Sequence, residues 1–121
     1  MPMADRIHLL QSKIILETAQ KGPCVIVGRS ADYILRERKD VLNVFIHADM
    51  EHKRQQAIRY YGLAPEHVER VLAKKDKARA SHYRHYTEQR WGLASNYHLS
   101  LDSGVFGLEG CVDLIVAAAK H

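Results

Sequence analysis

Seven cations and only two acids fall between residues 70 and 90, in the run RVLAKKDKARASHYRHYTEQR. If this run is helical, Lys75 and Arg79 are four residues apart and Asp76 and Arg79 three apart, so all three share a face. Such a face can grip a polyphosphate while Asp76 fixes an arginine or accepts a hydrogen bond from a sugar hydroxyl. The competing reading is a solvated helix surface. A second cation of interest is Arg29, which follows Gly28 at the end of the apolar run CVIV. Arginine presents a rigid fork of donors matched to phosphate, and glycine lets a backbone or ligand approach closely. A simple pairing of Arg29 with Asp32, three residues on, accounts for it equally well. Arg54 is a further candidate to face a crevice, whereas its neighbour Lys53 reads as exposed to solvent. His82 and His85 have no carboxylate at a convincing distance, so no metal site is expected. Tyr83 and Tyr86 read as packing residues, and no interleaved motif supports base stacking.

These side chains need elements to hold them. The spacing of Ile7, Leu10, Ile14 and Ala19 predicts a helix over 5–20, capped by Asp5 and stopped by Gly22-Pro23. Residues 24–28 read as a buried strand, ADYILRE as a short helix, and Arg38 to Asp40 as a turn. VLNVFIHA, residues 41–48, is β-branched and apolar, hence a second strand. Asp49 should cap a helix with Met50, Ala57, Ile58 and Tyr61 on one side, ended by Gly62. Pro65 suits the first turn of another helix running to Trp91, with a break near Ala80 to Tyr83. A third strand is predicted over 97–101, with Asp102-Ser103 at its tip, and a closing helix over Val105 to Lys120. Alternating strands and helices predict an α/β fold with a parallel sheet, whose ligands gather beyond the carboxyl ends of the strands. Gly28-Arg29, His47 to Asp49 and Asp102-Ser103 stand at those ends.

The bulk figures agree with this picture. Of 121 residues, 46% are hydrophobic and 26% charged, which excludes a disordered chain. Lys and Arg outnumber Asp and Glu by 18 to 14, an excess that suits anionic ligands without choosing among them. Cys24 and Cys111, the only cysteines, are read as reduced thiols of a cytoplasmic protein. No apolar run approaches ~18 residues, and MPMADRIHLL lacks the apolar core of a signal peptide, so no membrane partner is expected.

Four fragments, CVIVGRSADYIL, VFIHADMEHKRQQAIRYYGL, KKDKARASHYRHYT and NYHLSLDSGVFGLEG, occur in an order and spacing that resembles the cytidylate kinase-like family of nucleoside monophosphate kinases. The resemblance spans nearly the whole chain, from about residue 7 onward. It implies a P-loop kinase fold, a three-layer parallel sheet with flanking helices in one domain over 1–121, and a lid-like helical segment at about 64–92. It also implies ATP-dependent phosphoryl transfer, with Mg2+, to CMP or dCMP. By the same resemblance Arg29 lies near the acceptor nucleotide, with Asp32 and Arg54 as further substrate contacts. KKDKAR looks like the mobile lid, with Arg79 and Lys75 as catalytic cations and Asp76 close to the substrates. Asp102 and Ser103 lead into the adenine-side loop.

Two departures stand out. Val27 occupies the place where ordinary members of the family carry an aspartate near magnesium. No G-x-x-x-x-G-K-[ST] run exists in the sequence, so the loop that cradles ATP phosphates is missing. The polypeptide is therefore expected to match the carboxyl-terminal two thirds of a kinase, incomplete at its N-terminal side and inactive alone. In the related folds a central strand separates 24–28 from 41–47. Its absence is expected to expose sheet edges, closed by direct pairing of those two strands or by a homo-oligomer. Two alternatives from other classes remain: a basic nucleic-acid-binding module using residues 70–90, and a non-catalytic oligomerising remnant of the kinase fold.

Overall fold

The computed structural model describes residues 1–121. Met1–Val41 and Leu42–His121 form two compact units, each described here by itself. No helix is long and apolar enough to cross a membrane.

The first unit contains α1 (Met3–Lys21) and α2 (Ala31–Ile34). Helix α1 begins two residues before Asp5, so that carboxylate lies in the first turn, where it complements the helix dipole instead of capping. Gly22 ends the helix as expected. Ile15, Ala31 and Leu35 form the core of this unit, with Ala19, Ile26, Ile34 and Val41 packed against it. Arg38 and Asp40 make the predicted turn through two hydrogen bonds, Nε to Oδ1 at 3.0 Å and Nη2 to Oδ2 at 2.8 Å. These bonds hold the Asp40 carboxyl below its ordinary range, so the pairing is present at neutral pH and is lost as acid protonates Asp40.

The buried strand expected at 24–28 does not form. The only sheet is two-stranded and does not include this segment. Residues 24–27 form no regular element: Ile26 packs on the core, while Val25 and Val27 are 93% and 85% exposed. An apolar run becomes a strand only when a neighbour supplies its hydrogen bonds, and none does so here. Cys24 is accordingly exposed, and both cysteines are free.

The next three residues are unusual. Gly28, Arg29 and Ser30 all have positive φ, at 69°, 60° and 56°. The turn closes with the Ala31 N–H donating to the Gly28 carbonyl at 3.1 Å. Glycine adopts this conformation freely, but arginine and serine do so at a cost of about 1 kcal/mol or more each.

The second unit is built on β1 (Val44–His47) and β2 (Leu99–Asp102), paired in parallel from Val44↔Leu99 to His47↔Asp102. The three-layer, three-stranded sheet expected from the sequence is thus a mixed α/β unit with a two-stranded sheet. Nor does 24–28 pair with 41–47 to close a gap, since β2 is the only neighbour of β1. Three helices complete the unit: α3 (Met50–Tyr61), α4 (Val68–Thr87) and α5 (Ser103–Ala119). Asp49 caps α3 by accepting from the His52 N–H at 2.8 Å, and Gly62, at φ 64°, ends it. Of the predicted inner face of α3, Ala57 is buried but Tyr61 is 78% exposed.

Helix α4 starts three residues after Pro65 and runs unbroken through Ala80 to Tyr83, where a break was expected; Ala78 and Ala80 sustain it. Tyr83 is buried, and its hydroxyl donates to Gln89 Oε1 at 3.0 Å. Helix α5 opens at Ser103 and kinks at Gly107, whose φ of 70° departs from the helix. After α4 the chain returns over β1: Trp91 meets Phe45 edge-on at 5.2 Å and Tyr97 lies 4.9 Å from the same ring. Gly92 sits at φ +81°, and a Cβ there would crowd the Phe45 ring at 3.3 Å from Cζ.

Two expected outcomes follow for urea denaturation. Gly92→Ala should lower stability by about 1–2 kcal/mol, combining a left-handed backbone with a crowded ring. Arg29→Gly should hold or raise stability by up to about 1 kcal/mol, whereas the β-branched Arg29→Val should lower it by about 1–2 kcal/mol.

Candidate functional site

The cations of α4 meet the cations of α3 around one carboxylate. Helices α3 and α4 pack against each other, and each contributes a buried apolar residue to the second unit, Ala57 on α3 and Val68 on α4, 2% and 0% exposed. The Lys53 ammonium on α3 donates to Asp76 Oδ2 on α4 at 2.7 Å. Arg79, three residues along α4, donates from Nη1 to Asp76 Oδ1 at 2.9 Å. Each oxygen of Asp76 therefore serves a different cation, and the group of three carries a net positive charge. The carboxylate side chain is 29% exposed and that of Lys53 32%, but that of Arg79 is 61% exposed. This guanidinium is therefore open to a ligand with one nitrogen already held.

The expected residues divide into three groups. Asp76 and Arg79 come together, as their spacing predicted, and Lys75 is exposed one residue away on α4. Arg54 does not join them, because its Nε lies 3.9 Å from Glu69 Oε1, a second pair across the same two helices. Asp102 and Ser103 stand at the carboxyl end of β2 and are used locally. Asp102 accepts from the Gly104 N–H at 2.9 Å, capping α5, and the Ser103 hydroxyl donates to the His47 carbonyl at 3.3 Å. Arg29 and Asp32 belong to the first unit, with Arg29 exposed on its left-handed turn and Asp32 in the first turn of α2.

Two residues were missed by sequence reasoning. Lys53 was expected in solvent, yet it is the cation that crosses between helices. Its partner lies 23 residues away, beyond the reach of any local spacing rule. The second is His52, beside the start of α5: a Cβ on Gly104 would lie 3.3 Å from the His52 Cβ and Cγ. The clue was topological. In a parallel pair, helices that leave the two carboxyl ends must begin side by side.

The chain superimposes on the crystal structure of an uncharacterized protein from Eubacterium ventriosum ATCC 27560 with a TM-score of 0.91. That match covers 99% of this chain and 68% of the other at 24% sequence identity, so it speaks for the fold alone. No curated protein matches. The family model for cytidylate kinase-like proteins matches residues 1–105, and on that match the chain belongs to the cytidylate kinase-like family.

Proposed function

We propose that this chain is the nucleotide-holding part of a cytidylate kinase-like enzyme, with the α3–α4 cations receiving nucleotide phosphate. The observation that carries the reading is the sharing of Asp76 between Lys53 and Arg79. An isolated Asp–Arg pair on a helix is neutral, but this group keeps a positive charge and an exposed guanidinium. The proposed reaction is phosphoryl transfer from ATP to a nucleoside monophosphate such as CMP or dCMP, on a P-loop kinase fold, and membership of the cytidylate kinase-like family supports this reading.

The chemistry asked of these residues is modest. Phosphoryl transfer spreads negative charge over the moving group, so positioning and neutralisation do most of the work. Arg79 can hold a phosphate oxygen through the nitrogens Asp76 leaves unused, and Lys75 adds a second, mobile charge beside it. Arg29 is a separate anion contact on the first unit, suited to an acceptor phosphate. When bound, ATP and magnesium would supply the phosphoryl group and the neutralisation of its leaving oxygens.

The residues present fit the phosphates better than the metal. No group of three or more His, Cys, Asp or Glu is clustered to hold an ion, and both oxygens of Asp76 are engaged by cations. The sequence also lacks the Gly-Lys-Ser/Thr cradle. These 121 residues are therefore expected to bind nucleotide without transferring phosphate.

Calorimetry with CMP, ATP and a single-stranded oligonucleotide tests the proposal. Arg79→Ala should weaken mononucleotide binding about tenfold, a loss near 1.4 kcal/mol, while Arg84→Ala on the same helix leaves it unchanged. Equal losses in both variants, with a steep salt dependence and preference for the oligonucleotide, would replace the kinase reading with a polymer-binding one.

A further inference from the structure

In the proposed site Lys53 shares Asp76 with Arg79, and its position there is specific. Its ammonium reaches 2.7 Å from Asp76 Oδ2, across the α3–α4 contact, while the same carboxylate holds Arg79 at 2.9 Å through Oδ1. Stability is a poor explanation for this pair. A single ion pair with about a third of each side chain exposed adds little stability, and α3 and α4 pack against each other in any case. The neighbouring pair, Arg54 with Glu69, is longer at 3.9 Å, and its carboxylate is 66% exposed. If tying α3 to α4 were the whole purpose, one such loose pair would serve.

The effect on Arg79 is larger. With Lys53 absent, Asp76 would cancel the charge of Arg79, and its free oxygen would repel an approaching anion. With Lys53 present, both oxygens are satisfied, the carboxylate cannot rotate freely, and Arg79 keeps its charge with Nη1 anchored. Resting on the nucleotide-holding function above, we infer that Lys53 is a positioning residue, which acts through Asp76 to orient Arg79 and keep its positive charge available to a phosphate-bearing ligand. Lys53 itself need not touch that ligand.

The test uses pyrophosphate as the probe and Lys53→Met, which keeps most of the aliphatic stem and removes the charge. Lys53→Met should weaken pyrophosphate binding about fivefold to tenfold, and Lys53→Arg should restore it. Combined with Arg79→Met it should add little, because its effect passes through Arg79, and this coupling should vanish in an Asp76→Asn background. Additive losses that persist with Asp76→Asn would overturn the inference and make Lys53 an independent phosphate contact. A readout without ligand separates this inference from the functional reading on which it rests. Relaxation of the Arg79 side-chain Nε in the free protein should show a more mobile guanidinium in Lys53→Met than in the wild type or Lys53→Arg. Unchanged Arg79 mobility would overturn the positioning role even if pyrophosphate binds. A wild-type protein that binds no pyrophosphate would overturn the functional reading, with Arg79 mobility still deciding the role of Lys53.

Discussion

A four-residue parallel ladder organises the second unit. Val44 to His47 pair with Leu99 to Asp102, and no other strand takes part. Two parallel strands cannot be joined by a tight turn, so the chain must cross over between them. Residues 48–98 are that crossover, and they contain α3 and α4. The ladder therefore determines where α3 starts, where α5 starts, and how far α4 can swing before its chain returns through Trp91 and Tyr97 onto Phe45. So short a sheet is weak by itself, and the aromatic cover on Phe45 supplies apolar contact that a longer ladder would have provided.

Within that frame the carboxylate of Asp76 is the point where structure becomes chemistry. The packing of α3 on α4 brings Lys53 within reach of a residue on the next helix. In the first unit the left-handed turn at Gly28 to Ser30 holds an exposed arginine beside a buried Ser30.

Local signals in the sequence proved the most legible. Asp49 as a cap, Gly62 as a stop and the Arg38–Asp40 turn all depend on residues within a few positions of one another. Both observed strands were also readable, to within three residues at each end, because β-branched runs flanked by polar tips have few alternatives. CVIV was misread because its composition is that of a strand while its partner is absent, and composition cannot report a missing neighbour. The left-handed backbone at Arg29 and Ser30 had no signal, since neither residue favours it. At the candidate site, Asp76 and Arg79 were legible as an i, i+3 pair, but Lys53 was not, because its contact with Asp76 exists only once two helices have packed. The capping of α5 by Asp102 was indistinguishable in sequence from a ligand contact, as both need an acid at a strand tip.

In the proposed function, nucleotide phosphate is received where α3 and α4 share Asp76. The most direct measurement is a titration of the isotopically labelled protein with CMP, followed by nuclear magnetic resonance of backbone and side-chain N–H groups. Saturable shifts centred on Lys53, Lys75, Asp76 and Arg79 are the result predicted. Shifts confined to other surfaces, or none at concentrations that saturate a millimolar site, would contradict it.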